Sequence, residues 1–394
     1  MLAFVRSRFR APWFQQAGIS VGLALLVFVA CLVGIYSRMP GTLAAFWPAN
    51  ALLLGLLVRF PSAASVSTWL AAAVGYLAAD LATGSTLVKA ALLNSANLVG
   101  VVVGYLLVRR IATGDLRLGN MRSVGWLAAL ATTSAAAAAV VGGVAQMVLF
   151  RDPFWPAWLG WYSEEVLNYT VILPIIFTFP SRLVVRMRRT DVRRLVLPTV
   201  FLLASAAPAW LLQGFGTVAF SAPALITVAL LSSVFITTLF LAVASAWSLI
   251  LIVHHGADMA NATAIPIAPS AMIGLAMLGF APLTIAAVTA ERRRAYRVLR
   301  TAMEQDDLTG ALRRGEFLRR GEVALTDGTG RPAALLMMDL DHFKRLNDTR
   351  GHLTGDQALI DFAASVHEMI GDDDDLLAAV LAHEIGHITE LCRP

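Results

Sequence analysis

The sequence predicts a polytopic α-helical membrane domain of about ten spans, followed by a partial α/β domain in the cytoplasm. Of the 394 residues, 58% are hydrophobic and only 14% are charged, with a mean hydropathy of +0.70, whereas about a quarter of a soluble domain is charged. The first 290 residues carry 17 basic and 7 acidic side chains, and the last 104 carry 14 basic and 19 acidic ones. These features exclude a soluble globular protein and indicate two parts of different character.

Ten apolar segments approach the length of about 20 residues that a helix needs to cross the hydrocarbon core. They are residues 17–37, 42–58, 63–82, 87–108, 124–149, 157–179, 195–213, 217–235, 236–254 and 268–290. The stretch 216–255 is apolar for the length of about two spans, and no charged turn marks the break inside it. We therefore expect four segments: a cytoplasmic N-terminus (1–16), a transmembrane domain (17–290), a helical stalk (291–305) and an incomplete C-terminal domain (306–394).

Basic residues recur in every second predicted loop, as the positive-inside rule requires of a multi-pass protein. These loop and flanking positions include Arg6, Arg8, Arg10, Arg59, Arg109, Arg110, Arg117, Arg122, Arg182, Arg186, Arg193, Arg292, Arg293 and Arg294. The pattern places both termini in the cytoplasm, and the N-terminus does not have the form of a cleavable signal peptide. No basic stripe with interleaved aromatic residues is present, so no nucleic-acid partner is expected, and two cysteines cannot form a disulfide scaffold.

Polar residues within spans are costly in a membrane and are therefore candidate functional residues. They are Asp80, Lys89, Asn94, Asn97, Glu164, Glu165 and Asn168. Glu165 and Asn168 lie three residues apart and share a helix face, so they are candidates for binding a sensed ligand, with hydrogen bonding between helices as the alternative. Asp80 and Lys89 flank a short turn and are expected to form a solvated pair near the outer interface.

Two motifs in the membrane part carry a resemblance to a known domain. One is Phe46-Trp47-Pro48-Ala49-Asn50-Ala51, and the other is Trp161-x-x-x-Glu165-x-x-Asn168, ending in Leu173-Pro174. Together they resemble the bacterial membrane-associated sensor domain (MASE type) that precedes cyclic di-GMP enzymes, over about residues 17–290. That resemblance implies a sensor in the bacterial inner membrane that responds to an unknown ligand. The family more often has Asp and Gly where this chain has Glu165 and Asn168.

The C-terminal part has the features of an α/β nucleotide site. The stalk carries apolar residues three and four positions apart and could pair two chains, or pack on its own tail. The apolar run 333–338 predicts a buried strand ending in Asp339, and a carboxylate at such a strand end is a common ligand for magnesium and phosphates. Lys344 near the next helix start could contact a phosphate, while Asn347 and Asp356 offer groups that suit the edge of guanine.

The motifs themselves are more specific. Asp306-Asp307-Leu308-Thr309-Gly310-x-x-x-Arg314 and Met338-Asp339-Leu340-Asp341-His342-Phe343-Lys344-x-x-Asn347-Asp348-x-x-Gly351-His352-x-x-Gly355-Asp356 strongly resemble the GGDEF family, the diguanylate cyclases. The resemblance implies that Asp339 and the backbone of Leu340 hold magnesium (or manganese), that Phe343 and Lys344 contact phosphates, and that Asn347 and Asp356 read guanine. It also implies a homodimer, paired through the stalk and the output domain, that joins two GTP molecules into cyclic di-GMP.

The sequence departs from this family near its end. Leu381-Ala382-His383-Glu384-Ile385 aligns with the glycine-rich signature, so that only the catalytic Glu384 is retained and His383 replaces a metal-binding acid. The chain stops at Pro394, so we expect about half of a normal domain to be absent and catalysis by this chain to be lost. One alternative is a non-enzymatic membrane receptor with a vestigial output domain. Another is a zinc metalloprotease that uses His383-Glu384-x-x-His387, with the two histidines as zinc ligands.

Overall fold

The computed structural model describes residues 13–37, 46–111, 116–180, 189–212, 215–259, 267–326 and 338–370. Within these ranges the regular elements are helices, and the only β-type pairing is an isolated bridge between Gln305 and Leu312. The chain divides into two compact units, Met1–Glu291 and Arg292–Pro394. The segment limits predicted from the sequence stay predictions.

Ten apolar helices occupy the positions of the ten predicted spans. They are α1 (Trp13–Tyr36), α2 (Pro48–Arg59), α3 (Val66–Ala82), α4 (Leu87–Ile111), α5 (Met121–Phe150), α6 (Phe154–Thr178), α7 (Arg189–Leu212), α8 (Ala222–Leu231), α9 (Val234–Met259) and α10 (Ile267–Glu304). In the described part of the chain, six segments are long and apolar enough to cross a membrane: Phe14–Tyr36, Leu87–Arg110, Met121–Phe150, Val192–Leu212, Val234–Ile252 and Pro269–Arg300. The count of ten spans therefore stays a prediction.

Two serine residues mark the break in the long apolar stretch 216–255, in which no charged turn separates the two predicted spans. α8 ends at Leu231 and α9 begins at Val234. The backbone N–H of Ser232 donates to Val228 O at 2.8 Å, which closes α8, and the Ser233 hydroxyl accepts the N–H of Ile236 at 3.3 Å, which starts α9. The predicted break after residue 235 is therefore misplaced by a few positions, because the Ser232 backbone and the Ser233 hydroxyl, and no charged turn, define it.

Small residues allow helices of the first unit to approach each other closely. A Cβ atom on Gly75 of α3 would lie 2.5 Å from the carbonyl oxygen of Ala24 in α1, so these two backbones touch. The same pair of helices is joined by hydroxyl contacts, including one of 3.1 Å between Ser20 and Thr68. Close packing and polar contacts of this kind hold membrane helices together, because lipid supplies little hydrophobic driving force between them.

The described residues of the second unit form three further helices: α11 (Arg314–Thr326), α12 (Phe343–Arg350) and α13 (His352–Ile370). No strand occurs among its described residues, and of the predicted strand 333–338 only Met338 is described. The α/β class of this unit stays a prediction. The predicted stalk helix is present as the last part of α10, with Val298, Leu299 and Met303 exposed.

Candidate functional site

Asn50 is the centre of a buried polar cluster that joins four helices of the first unit. From α2, its amide nitrogen donates to Asn97 Oδ1 of α4 at 2.9 Å and to Glu165 Oε1 of α6. Its amide oxygen accepts the hydroxyl of Tyr76 of α3 at 2.6 Å. All four side chains are at most 3% exposed. Pro48 at the start of α2 and the small residues that follow place the amide within the bundle.

The hydrogen-bonded cluster continues from Asn97 through Asn94 of α4 to Asp80 near the end of α3. Asn97 Nδ2 donates to Asn94 Oδ1 at 2.9 Å, and Asn94 Nδ2 donates to Asp80 Oδ2 at 2.6 Å. Asp80 is only 5% exposed, while the Lys89 ammonium lies over the Phe150 ring at 5.4 Å. The expected solvated pair of Asp80 and Lys89 is therefore wrong, because Asn94 supplies the donor that allows the carboxylate to be buried.

The two motifs singled out in the membrane part contact each other. The backbone N–H of Trp47, just before α2, donates to Asn168 Oδ1 of α6 at 3.1 Å. Asn168 Nδ2 donates to the carbonyl oxygen of Glu164 at 2.8 Å. Asn168 thus joins α6 to the start of α2, whereas Glu165 uses only one of its carboxylate oxygens in the cluster. A role in binding a sensed ligand stays a prediction for both residues.

The central position of Asn50 and Tyr76 was missed by sequence reasoning. Asn50 belonged to a quoted motif, and Tyr76 lies inside an apolar span, so each had a weak signal. Their convergence depends on contacts among helices that are distant in sequence, since Asn50 and Glu165 are 115 residues apart.

In the second unit, Asp339 and Leu340 lie directly before α12. Asp339 Oδ1 accepts the N–H of Leu340 at 2.9 Å, and its side chain is exposed. The N–H of Phe343 donates to Leu340 O at 3.3 Å, and His342 takes the left-handed conformation, with φ of 60°. Lys344 follows on the first turn of α12 and is exposed. These residues therefore cluster at one helix start, where backbone N–H groups favour an anion.

Asn347 is held where α12 meets α13. Its Oδ1 atom is buried and has no hydrogen-bond partner among the described residues. A Cβ atom on Gly355 would lie 1.8 Å from this oxygen, so the side chain occupies the space that glycine leaves open. Gly351, with φ of 84°, makes the turn between the helices and donates its N–H to Asn347 O at 2.9 Å. Half-buried Asp356 follows directly, so the two predicted guanine-reading residues share one corner.

The segment before α11 forms a compact turn fixed by Asp306 and by ion pairs. Asp306 Oδ1 accepts the N–H and the hydroxyl of Thr309, both at 3.0 Å. Arg320 of α11 contacts Glu304 Oε2 at 2.8 Å. Hydrogen bonds from Arg319 and then from Arg320 lower the pKa of the Glu316 carboxyl to about 2. This network ties the end of α10 to α11 within the second unit.

The described residues fit a magnesium site of the kind that a nucleotide completes. Asp339 offers a carboxylate with one oxygen unused, and Leu340 offers a carbonyl. Magnesium is often held by one or two carboxylates together with substrate phosphates. No group of three or more His, Cys, Asp or Glu side chains suited to a metal occurs in the described ranges. Glu384, His383 and His387 lie outside these ranges, so the zinc alternative stays a prediction.

Comparison with known proteins connects this geometry to a family. Residues 303–389 match the model for the diguanylate cyclase GGDEF domain. The chain is 25% identical over 362 residues to the probable diguanylate cyclase DgcF of Escherichia coli O157:H7, covering 90% of this chain and 74% of the relative. It is 25% identical over 217 residues to the K12 form of DgcF, covering 54% of this chain and 67% of the relative. It is 37% identical over 95 residues to the probable diguanylate cyclase DgcT of strain K12, covering 23% of this chain and 20% of the relative.

No solved structure matches the chain significantly. The resemblance of residues 17–290 to a membrane-associated sensor domain stays a prediction, whereas the GGDEF part of the resemblance is supported. The chain is thus similar to diguanylate cyclases over most of its length, and its residues 303–389 match their GGDEF domain.

Proposed function

We propose that this protein is a membrane-bound signalling protein of the diguanylate cyclase family, the family that forms cyclic di-GMP from two GTP molecules. The observation that carries the proposal is the ordered set of motif residues between Asp306 and Asp356, which lies inside the matched segment 303–389. Several helices apolar enough to cross a membrane precede it. The protein acts in the bacterial inner membrane with both termini in the cytoplasm.

In this proposal residues 339–356 bind GTP with magnesium or manganese. Asp339 and the Leu340 backbone hold the metal, which neutralises phosphate charge. Phe343 and Lys344 contact the phosphates, at a helix start that favours anions. The base is read by the two residues at the corner of α12 and α13, where Asn347 offers an amide and Asp356 a carboxylate, the groups that suit the edge of guanine.

The output unit works as a homodimer in this account, and a ligand bound among the membrane helices sets its activity. The exposed apolar residues at the end of α10, which include Val298, Leu299 and Met303, support pairing of two chains through the stalk. The polar cluster around Asn50 and Glu165 supports a sensing role for the first unit, because intramembrane polar groups are costly to keep without a function.

The test is binding of radiolabelled GTP to the full chain in lipid nanodiscs, with and without Mg²⁺. Wild type should bind GTP only with the metal, and Asp339→Ala should lose this metal-dependent binding. Asp361→Ala is the matched control, because Asp361 is an exposed acid of α13 whose carboxylate, among the described residues, accepts a hydrogen bond from Gln357 alone, at 2.8 Å. If wild type bound no GTP, or if Asp339→Ala bound it equally well with Mg²⁺, the proposed site would be wrong.

The departures at Leu381, Ala382 and His383 favour a second candidate, a receptor that binds the nucleotide without turning it over. Glycine at such positions lets the backbone approach phosphates, which Leu and Ala side chains obstruct. We expect no cyclic di-GMP above background from the purified chain with GTP and Mg²⁺. Product that forms with wild type and not with Asp339→Ala would instead establish an active cyclase.

A further inference from the structure

Glu165 is a buried acid with no basic partner in the described part of the first unit. Its side chain is 2% exposed, and none of the ion pairs identified among the described residues involves it. One carboxylate oxygen, Oε1, is held by Asn50. An uncompensated negative charge at this depth is expensive, so a carboxylate kept there needs a positive charge close to it.

Two buried oxygens beside each other lack hydrogen-bond partners among the described residues. They are Glu165 Oε2 and the hydroxyl oxygen of Tyr169, one turn further along α6. The hydroxyl and the carboxyl group lie close enough to interact with each other, but neither of these two oxygens has a well-aligned hydrogen-bond partner among the described atoms. Buried polar atoms without partners in a folded protein commonly mark a water or an ion.

The surroundings restrict what can lie between these oxygens to something small. A Cβ atom on Gly100 of α4 would lie 3.3 Å from the Tyr169 hydroxyl and 2.9 Å from the Ala138 Cβ of α5. Three helices thus meet closely at this point. The buried titratable groups of the packed helices are Cys31 of α1, Tyr76 and Asp80 of α3, and Glu164 and Tyr169 of α6. Among the basic side chains of α2 and α4, Arg59 donates to Ile176 O, Lys89 lies over the Phe150 ring and Arg109 over the Tyr105 ring. All of the buried groups are acidic, and none of the ion pairs among the described residues brings a base to Glu165.

We propose that Glu165 Oε2 and the Tyr169 hydroxyl form a binding site for one small monovalent cation, either a proton or an alkali metal ion. A proton on Oε2 creates an O–H that donates to the Tyr169 oxygen. An alkali ion instead accepts a lone pair from each oxygen. In both cases one positive charge neutralises the carboxylate, and Asn50 fixes the orientation of the carboxyl group through its other oxygen. The proposal does not depend on GTP binding by residues 339–356.

The test is thermal unfolding of the purified full chain in nanodiscs, followed by tryptophan fluorescence, in two series. In the first, NaCl replaces choline chloride at constant ionic strength and constant pH. In the second, the pH is lowered in choline chloride alone. A bound cation stabilises the folded state by mass action, so wild type should gain Tm with Na⁺ if the site takes an alkali ion, or with falling pH if it takes a proton.

The variants assign the effect to the site. Glu165→Gln should lose the response that wild type shows, and Glu164→Gln, the neighbouring acid on the same helix, should retain it. Equal responses of wild type and Glu165→Gln in both series would overturn the proposal, as would the absence of any response in wild type. If Glu165→Gln does not fold, Tyr169→Phe decides. In this variant the cation concentration at which half of the gain in Tm is reached should rise about tenfold, since one ligand oxygen is lost. An unchanged half-maximal concentration would overturn the site.

Discussion

Replacement of Asn50 by alanine should destabilise the membrane unit more than any neighbouring polar substitution. The change removes three hydrogen bonds between helices, to Asn97, Glu165 and Tyr76. At about 0.6 kcal/mol for each such bond in a membrane protein, the free energy of unfolding should fall by about 2 kcal/mol. Loss of the Asn50 amide also leaves Glu165 Oε1 buried without its hydrogen bond, which adds to this value.

The assay is unfolding of the purified protein in increasing mole fractions of SDS, followed by tryptophan fluorescence. Ser95→Ala is the control, because the Ser95 hydroxyl bonds to Leu92 O of its own helix at 2.6 Å and joins no second helix. The free energy of unfolding of this control should lie within about 0.5 kcal/mol of the wild-type value. Asn97→Ala loses the hydrogen bonds to Asn50 and Asn94, and its loss in free energy of unfolding should lie between those of Ser95→Ala and Asn50→Ala. A cost for Asn50→Ala no larger than that of the control would refute the reasoning.

Two further predictions concern packing and pH. Gly75→Ala should destabilise the first unit by about 1–3 kcal/mol in the same SDS assay, because its Cβ would lie 2.5 Å from the Ala24 carbonyl oxygen. The control is Gly22→Ala, whose Cβ would have no atom within 4 Å, so that this substitution should be neutral or stabilising. Equal effects of the two substitutions would contradict the packing argument. The pKa of Glu316 falls from 4.5 to about 2 on folding, so its contribution to stability is present above pH 4.5 and is lost as the pH falls towards 2. Over that interval wild type should lose more stability than Glu316→Gln in acid-unfolding measurements, and parallel curves would show that the ion pairs do not contribute.

The sequence predicted features that depend on a local pattern. The ten helices lie where apolar runs predicted them, because length and hydropathy are properties of a single segment. The break at residues 232 and 233 was predicted a few positions too late, since a serine cap leaves little trace in hydropathy. The corner of Asn347 and Asp356 was predicted as a pair because both belong to one short motif, on consecutive helices.

Features that depend on contacts between distant segments were not predictable. Nothing local distinguishes Tyr76 from other aromatic residues of membrane helices, and the roles of Asn50 and Asp80 arise only when α2, α3, α4 and α6 meet. Asp80 was expected to be solvated because it flanks a turn, but the amide of Asn94, 14 residues later, covers it. The alternation of charged loops predicts topology and carries no information about such side-chain pairing.

The most direct test of the proposed nucleotide site is its preference for GTP over ATP. The account predicts that the full chain in nanodiscs, with Mg²⁺, binds GTP more tightly than ATP and that Asn347→Ala removes about tenfold of this preference, the worth of one hydrogen bond to the base. Asp361→Ala should leave the preference unchanged. Equal affinity of wild type for GTP and ATP, or a preference that survives Asn347→Ala intact, would contradict the claim that residues 339–356 recognise guanine.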